Sequence, residues 1–226
     1  MAQARSSAAG SRSVALALKR LFDMSLAAAG LIVSLPLWVL IPLAIKLGDR
    51  GPVFFPQERV GLNGRVFKAL KFRSMVPDAE SKYGPRQAEE HDPRVTAIGR
   101  LLRATAMDEL PQLWNILAGD MSFVGPRPLR PGEIEVAGDG RLVALDEVPG
   151  YDRRHSVRPG LTGLAQVYAR RDLPRPEKFA LDLDYIDRAT PVLDLKLLLL
   201  SFWITARGAW EKSDRALVTK QQRGSL

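Results

Sequence analysis

The sequence contains no cysteine and only two histidines, His91 and His155. The absence of cysteine excludes disulfide bonds and thiolate metal sites, and two histidines are too few for a histidine-based metal site. A bound metal ion would therefore be held by carboxylates or by a substrate. Oxygen ligands of this kind favour Mg²⁺, with Mn²⁺ as the alternative.

Acidic residues are outnumbered by basic ones. The chain has 25 aspartates and glutamates and 33 lysines and arginines, so its net charge is +8. A basic chain of this kind suggests an anionic partner, which would be a nucleic acid, an anionic lipid or a phosphorylated substrate. Aromatic residues make up only 7% of the chain and do not alternate with the basic ones. The pattern typical of nucleic-acid binding is therefore absent, and no nucleic-acid partner is expected.

An uncharged apolar run extends from Met24 to Ile45, which is long enough for a straight helix of roughly 33 Å. A cleaved signal peptide is not favoured, because the run is too long and no A-x-A cleavage site follows it. A transmembrane helix remains possible, but basic residues flank the run on both sides and give no preferred orientation. Pro36 also interrupts the helical hydrogen bonds in the middle of the run. We therefore favour a re-entrant helix that breaks at Pro36 and returns to the same face.

A second apolar stretch, from Leu197 to Ala206, is too short to cross a membrane. Trp203 lies inside it and Trp210 follows it, and tryptophan favours the membrane interface. An interfacial amphipathic helix and a buried core helix both fit this stretch.

The segment from residue 53 to residue 73 predicts a β-hairpin, with Asn63-Gly64 as a type I′ turn. The period of two places Lys71 and Arg73 on the same face of the second strand. Two neighbouring cations are consistent with a solvated surface or with a phosphate site.

Asp108 and Glu109 stand at the predicted start of a helix, because Pro111 is tolerated only in a first turn and Gly119 ends the pattern. An apolar face follows at helical spacing, formed by Leu110, Leu113, Trp114 and Leu117. The N–H groups and the dipole of a helix start stabilise negative charge. Asp108 is therefore a helix cap or an ionised nucleophile beside a phosphate site.

Arginines occur in two further segments of the chain. Arg127 lies between two prolines, and its stiff backbone suits bidentate phosphate binding. The segment 158–163 predicts a turn, and 165–168 predicts a short strand that ends beside Arg170 and Arg171.

These segments together resemble the monotopic phosphoglycosyl transferases, a family of bacterial sugar transferases also described as polyprenyl-phosphate hexose-1-phosphate transferases. The resemblance extends from about residue 19 to residue 206. It rests on KRLFD (19–23), GPVFFPQERVGLNG (51–64), KFRSM (71–75), DPRVTAIGRLLRATAMDELPQLWNILAGDMSFVGPRP (92–128) and VRPGLTGLAQV (157–167).

The resemblance implies an α+β fold, in which a re-entrant helix-break-helix joins a small cytoplasmic domain with a β-hairpin, helices and interfacial amphipathic helices. It implies four regions: a disordered tail (1–18), the re-entrant membrane helix (19–47), a catalytic domain that includes the C-terminal interfacial helix (48–212), and a second tail (213–226). The predicted location is the cytoplasmic face of the bacterial inner membrane. There Lys19 and Arg20 are expected to favour anionic headgroups.

The resemblance also implies the reaction. A sugar 1-phosphate passes from a UDP-sugar to polyprenyl (undecaprenyl) phosphate through a covalent phosphosugar on aspartate, releasing UMP and initiating exopolysaccharide or glycoconjugate synthesis. The catalytic dyad falls on Asp108 and Glu109, which are also the expected ligands of Mg²⁺. The phosphate- and substrate-binding cations fall on Lys71, Arg73, Arg103, Arg127 and Arg170.

Two other functional classes are weighed against this one. A membrane-bound glycosyl transferase would release UDP instead of UMP. A non-catalytic membrane-anchored binding protein would explain the apolar run, but it gives no reason for an Asp-Glu pair among so many arginines. The sequence is compatible with a homodimer, and it does not specify the sugar of the UDP-sugar or the length of the polyprenol.

Overall fold

The computed structural model describes residues 2–77, 79, 92–136, 141–170 and 173–207, with side chains from residue 14 onward. Helices and strands alternate irregularly along the chain, as an α+β fold requires, and this coarse prediction is confirmed. The helices are α1 (Ala2–Val33), α2 (Leu37–Asp49), α3 (Ala97–Ala104), α4 (Gln112–Ala118), α5 (Tyr151–Arg154), α6 (Leu164–Tyr168), α7 (Arg175–Arg188) and α8 (Pro191–Ala206). The strands are β1 (Phe54–Val60), β2 (Val66–Phe72), β3 (Ser122–Val124), β4 (Ile134–Val136), β5 (Leu142–Ala144) and β6 (Gly160–Thr162).

Helices α1 and α2 form a bent pair, with an angle of 61° between Val14–Val33 and Leu37–Asp49. The break lies at the position predicted from Pro36, which has no N–H group to continue the helical hydrogen bonds. Ser34 is buried there; its hydroxyl donates to the Leu31 carbonyl at 3.2 Å and accepts from Nε1 of Trp38 at 3.0 Å. Within the described residues, the bent pair has the length and composition to enter a membrane, and no single helix has both.

The predicted boundaries of the N-terminal region were wrong. Helix α1 begins at Ala2, whereas the sequence was expected to be disordered through residue 18. The segment contains several alanines and no proline, so its helix propensity is high. The predicted C-terminal tail, 213–226, lies outside the described residues.

The predicted hairpin is confirmed. Strands β1 and β2 pair antiparallel, from Phe54 opposite Phe72 to Val60 opposite Val66. Between them Asn63 and Gly64 both have positive φ, 53° and 78°, which is the backbone of a type I′ turn.

A parallel pair, β3 with β6, brings two glycine-proline segments together. A Cβ atom on Gly125 would lie 2.4 Å from the Arg158 carbonyl oxygen, so only glycine allows this close approach. The prediction of a strand at 165–168 was wrong: these residues belong to helix α6, and the strand is β6. The ladder to β3 decides this, since it pairs Gly160 with Ser122.

Three polar residues of α1 attach the bent pair to the rest of the protein. Lys19 Nζ contacts Asp194 of α8 at 2.6 Å, and Asp23, which is buried, accepts from the Phe123 amide at 3.1 Å. Arg20 donates to two main-chain carbonyls near the C-terminal end of α4, at 2.5 and 2.9 Å. The KRLFD motif therefore serves docking, and the expectation that Lys19 and Arg20 favour anionic headgroups stays a prediction.

Two clusters of buried apolar side chains attach the bent pair to the rest of the protein. The larger one joins α1, β2, α4, β3 and α8, with Ala27, Ile116, Met121 and Leu197 all buried. The smaller one joins α2 to β2 and α3, formed by Ile41, Ile45, Phe72 and Leu102. Both halves of the bent pair therefore pack on the same body.

Helix α8 has two different faces. Leu197 and Ile204 are buried in the core, whereas Leu199 and Phe202 on the other side are 62% and 76% exposed. The prediction of a buried core helix is thus confirmed for one face of α8. The other face exposes large apolar side chains.

Candidate active site

The Asp-Glu pair lies in a short connection between α3 and α4. Helix α3 is followed by Ala106, whose φ of 55° is in the left-handed region that glycine usually occupies after a helix. A 3-10 turn, Met107–Glu109, then carries the pair, and α4 begins at Gln112 after Pro111. The non-glycine residue with positive φ costs on the order of 1 kcal/mol, and such strain is often retained at functional sites.

Helix α3 is held close to the segment that follows β2. Thr96 caps α3 by accepting from the Gly99 amide at 3.0 Å. A Cβ atom on Gly99 would lie 1.9 Å from the Ser74 carbonyl oxygen, so this contact requires glycine. The close packing places Arg103, one turn further along α3, where its charge acts on Asp108.

Two predicted cations meet Glu109. Lys71 Nζ donates to Glu109 Oε1 at 2.6 Å, and Arg127 lies 3.9 Å from the same oxygen. Lys71 and Glu109 are both largely shielded, whereas the Arg127 side chain is 53% exposed. The structure thus brings together, around one half-buried turn, five of the seven predicted binding and catalytic residues: Lys71, Arg103, Asp108, Glu109 and Arg127.

The two carboxylates differ in protonation behaviour. Burial, together with the charge of Glu109, raises the pKa of Asp108 to about 6. Burial acts on Glu109 as well, but the charges of Lys71 and Arg127 outweigh it and hold the pKa of Glu109 well below its usual range. The start of α4 therefore does not lower the pKa of Asp108 as expected, because α4 begins four residues later and burial dominates. With a pKa of about 6, Asp108 is still mostly ionised at neutral pH.

A small pocket opens beside Glu109, and it reveals a residue that the sequence reasoning missed. Its polar lining includes Arg59 as well as Lys71, Gln112 and Arg127. In the hairpin, Arg59 stands opposite Phe67, which shares its face of β2 with Lys71. Applying the hairpin register to the first strand would have identified Arg59 from the sequence.

Arg73 is not part of this cluster. Its guanidinium contacts both oxygens of Asp49, at 2.6 Å for the Nη1–Oδ2 pair, and also donates to the carbonyls of Pro52 and Met75 at 2.5 and 3.0 Å. The side chain is buried and links the end of α2 to the end of β2. The prediction that Arg73 stands beside Lys71 at a phosphate site was wrong, because the chain leaves the strand after Phe72 and Arg73 turns toward Asp49.

Arg170 follows α6 and its side chain is exposed. Arg171 lies outside the described residues. The assignment of a substrate-binding role to Arg170 stays a prediction.

The donor set at the pair decides which metal site would fit. Within the described residues, no group of three or more histidines, aspartates and glutamates is arranged to hold a metal ion. Asp108 and Glu109 supply two adjacent carboxylates, and one oxygen of Glu109 already accepts from Lys71. Mg²⁺ commonly binds to one or two carboxylates, with water and substrate phosphates completing its shell. The residues present therefore fit a metal ion shared with a phosphorylated ligand, and they do not form an all-protein cage.

A half-buried carboxylate pair surrounded by cations is the site of an enzyme that acts on phosphorylated substrates. The chain belongs to the bacterial sugar transferase family, whose model matches residues 14–208. The family membership predicted from the sequence motifs is thereby confirmed.

Several curated proteins are similar to this chain. It is 44% identical over 192 residues to the undecaprenyl-phosphate glucose phosphotransferase of Komagataeibacter xylinus, a match that covers 81% of this chain and 35% of that protein. It is 42% identical over 188 residues to the exopolysaccharide production protein PSS of Rhizobium leguminosarum bv. phaseoli, covering 81% and 92%. It is 44% identical over 189 residues to the UDP-glucose:undecaprenyl-phosphate glucose-1-phosphate transferase of Caulobacter vibrioides, covering 80% and 67%. The chain thus spans about a third of the first relative and nearly all of the second.

Proposed function

We propose that this protein transfers a sugar 1-phosphate from a UDP-sugar to a polyprenyl phosphate and releases UMP. The observation that carries the proposal is the half-buried Asp108–Glu109 pair, with Lys71, Arg103 and Arg127 acting on it. The relatives named for UDP-glucose and undecaprenyl phosphate make these two compounds the first substrates to test.

In the first step, a carboxylate oxygen of Asp108 attacks the sugar-linked phosphorus of the UDP-sugar. A bond forms between that oxygen and phosphorus, the bond from phosphorus to the bridging oxygen breaks, and UMP leaves with the electron pair. The raised pKa of Asp108 supports this role, because a carboxylate that holds its proton more tightly is a stronger nucleophile once it is ionised.

In the second step, a phosphate oxygen of the polyprenyl phosphate attacks the same phosphorus. The acyl-phosphate bond between the Asp108 oxygen and phosphorus breaks, the carboxylate is restored and a polyprenyl diphosphate sugar is released. Neither step requires a general acid or base, because both are displacements at phosphorus by an ionised oxygen. This suits a pocket whose lining contains a carboxylate and cations but no histidine.

The cations stabilise the charge that develops on the phosphoryl oxygens. Arg103 stands on the Asp108 side, and Lys71 and Arg127 stand on the Glu109 side. Glu109 stays ionised and holds Lys71 in place at 2.6 Å. Asp108 and Glu109 would hold Mg²⁺ together with the diphosphate, and the ion would supply additional charge neutralisation there.

We also propose that the bent pair enters a bacterial inner membrane from the cytoplasmic face, where nucleotide sugars are available. Many large apolar side chains are exposed along α1, α2 and α8, whereas a soluble surface normally exposes such residues singly. They include Leu21, Val33, Val39, Leu47, Leu199 and Phe202. With α1 and α2 docked on one body, the pair would dip into the lipid and return.

Nucleotide release tests the reaction. Detergent-purified protein is incubated with Mg²⁺, undecaprenyl phosphate and UDP-glucose, and the released nucleotide is separated and quantified. UMP is expected from the wild type, and Asp108→Asn should reduce its rate by at least about 1,000-fold because the attacking oxygen is lost. Asp146→Asn, a matched change at an exposed acid, should leave the rate unchanged. UDP as the product would mean that the protein is a glycosyl transferase, and full activity of Asp108→Asn would contradict the assigned nucleophile.

A further inference from the structure

Arg59 is held in the pocket beside Glu109 by two neutral oxygens. Its Nη1 donates to the Pro128 carbonyl at 3.0 Å, and its Nη2 donates to the side-chain oxygen of Gln57. Both partners fix the direction of the guanidinium, and neither cancels its positive charge.

Three fully buried arginines of the described chain are arranged differently. Arg73, Arg94 and Arg154 each make a direct ion pair with an aspartate. Burying a charge is costly unless it is paired, so these three arginines follow the usual rule. Arg59 is half-buried and contacts only neutral oxygens, while the carboxylates of Glu133 and Glu109 act on it at longer range. Its guanidinium is therefore placed to receive an anionic ligand.

The surroundings of Arg59 reinforce this point. Burial and the charges of Arg127 and Arg130 lower the pKa of Arg59 to about 10, and the charges of Glu133 and Glu109 offset them only in part. Several cations are therefore concentrated in a small volume where they repel one another. A bound anion with two or more oxygens would relieve this repulsion and would match the fork of the guanidinium.

The pocket lies on one side of the carboxylate pair. Glu109 lines it together with Arg59 and Arg127, and Asp108 does not. Cations act on Asp108 as well, since the charges of Lys71 and Arg103 reach it. The pocket itself, however, opens on the Glu109 side of the pair.

We propose that Arg59 binds the phosphate of the departing UMP, and that Gln57 is a positioning residue that aims Arg59 without neutralising it. This inference rests on the proposed function, which supplies the UDP-sugar, and adds the two residues that hold the departing nucleotide.

Two-substrate kinetics test the inference. In a ping-pong reaction, kcat/KM for each substrate reports only its own half-reaction. Arg59→Gln should lower kcat/KM for UDP-glucose about 10- to 100-fold, the size expected for losing a hydrogen-bonded charge, and leave kcat/KM for undecaprenyl phosphate unchanged. Arg65→Gln, the matched loss of an exposed arginine in the same hairpin, should alter neither value.

A second variant separates positioning from folding. Gln57→Glu keeps the acceptor oxygen for Arg59 but places a negative charge against it. We expect this variant to unfold at the same or a higher temperature than the wild type, and to lose kcat/KM for UDP-glucose and inhibition by UMP as Arg59→Gln does. A purely structural role for the Gln57–Arg59 contact predicts the opposite, since a stronger contact would then preserve activity.

The outcomes distinguish the two proposals. If the wild type releases no UMP, the proposed function fails. If it releases UMP but Gln57→Glu and Arg59→Gln behave as Arg65→Gln does, only the present inference fails. An equal loss of kcat/KM for both substrates would place Arg59 on the transferred phosphoryl group and would overturn the inference that it binds the departing UMP.

Discussion

Asp108 and Glu109 are neighbours in sequence, yet their environments give them different properties. Asp108 has a raised pKa, and Glu109 has a lowered pKa because Lys71 and Arg127 face it. Two carboxylates whose pKa values are driven apart usually perform different tasks. We infer that Asp108 forms the bond to phosphorus, while Glu109 remains charged to hold Lys71 and the metal ion.

This difference predicts how the stability of the protein depends on pH. A carboxyl with a raised native pKa binds its proton more tightly in the folded state, so stability falls as the pH rises from about 4 to about 6. Below that window Asp108 carries no penalty, and above it the whole penalty is present. In metal-free buffer, Asp108→Asn should therefore unfold like the wild type near pH 4 and be more stable by about 1–2 kcal/mol at pH 7.5.

Chemical denaturation of both proteins at several pH values measures the difference. Asp146→Asn, at an exposed acid, provides the control and should show no such trend. A stability gain of Asp108→Asn that is the same at pH 4 and at pH 7.5 would contradict the raised pKa.

For these residues the sequence predicted the position of the carboxylate pair better than its surroundings. The order of Asp108, Glu109 and Pro111 indicated a carboxylate pair before a helix, and the structure has it there. The protonation state could not be predicted, because it depends on burial and on the distance to Lys71, 38 positions earlier. The role of Arg73 was mistaken for a related reason: alternation along a strand does not show where the strand ends.

The bent pair of α1 and α2 is the element on which the membrane proposal depends. Lys19 and Asp23 attach α1 to the rest of the protein, and Ile41 and Ile45 attach α2 to the same body. Because both halves are anchored, the bend is stabilised by packing as well as by Pro36. A re-entrant pair is therefore expected to have its two ends on one face of the membrane.

Single-cysteine labelling tests this topology, and the absence of native cysteine makes it direct. Ser6→Cys, near the start of α1, and Ser156→Cys, at an exposed position after α5, should both react with a membrane-impermeant maleimide in inverted inner-membrane vesicles. Neither should react in intact spheroplasts. Leu35→Cys, at the exposed bend, should be shielded in both preparations. Labelling of residues 6 and 156 from opposite faces would show that the pair crosses the membrane.

Elements with strong local signals were predicted well. The hairpin was recognisable from Asn63-Gly64, and the helix break from Pro36. Elements that depend on distant partners were not: Gly160–Thr162 becomes a strand only through its ladder to β3. The start of α1 at Ala2 was missed because a polar, basic segment gives no amphipathic pattern.

For the whole molecule, the excess of positive charge and the exposed apolar surface have separate purposes in this account. In the proposed function, the cations around Glu109 would receive a diphosphate, and the exposed apolar residues on α1, α2 and α8 would face the lipid that carries the second substrate. The composition alone suggested both partners, but only the fold brings Lys71, Arg59 and Arg127 together from distant positions. The proposed reaction needs both surfaces, because one of its substrates is a diphosphate and the other is a lipid.

The covalent intermediate on Asp108 is the most direct test of the account. The protein is incubated with Mg²⁺ and UDP-glucose labelled in the sugar, without undecaprenyl phosphate, and the protein and nucleotide fractions are analysed separately. We expect the label to become attached to the wild type but not to Asp108→Asn. One UMP should be released for each labelled protein, and undecaprenyl phosphate should then remove the label. Release of UMP only after the acceptor is added, with no label on the protein at any time, would contradict the account.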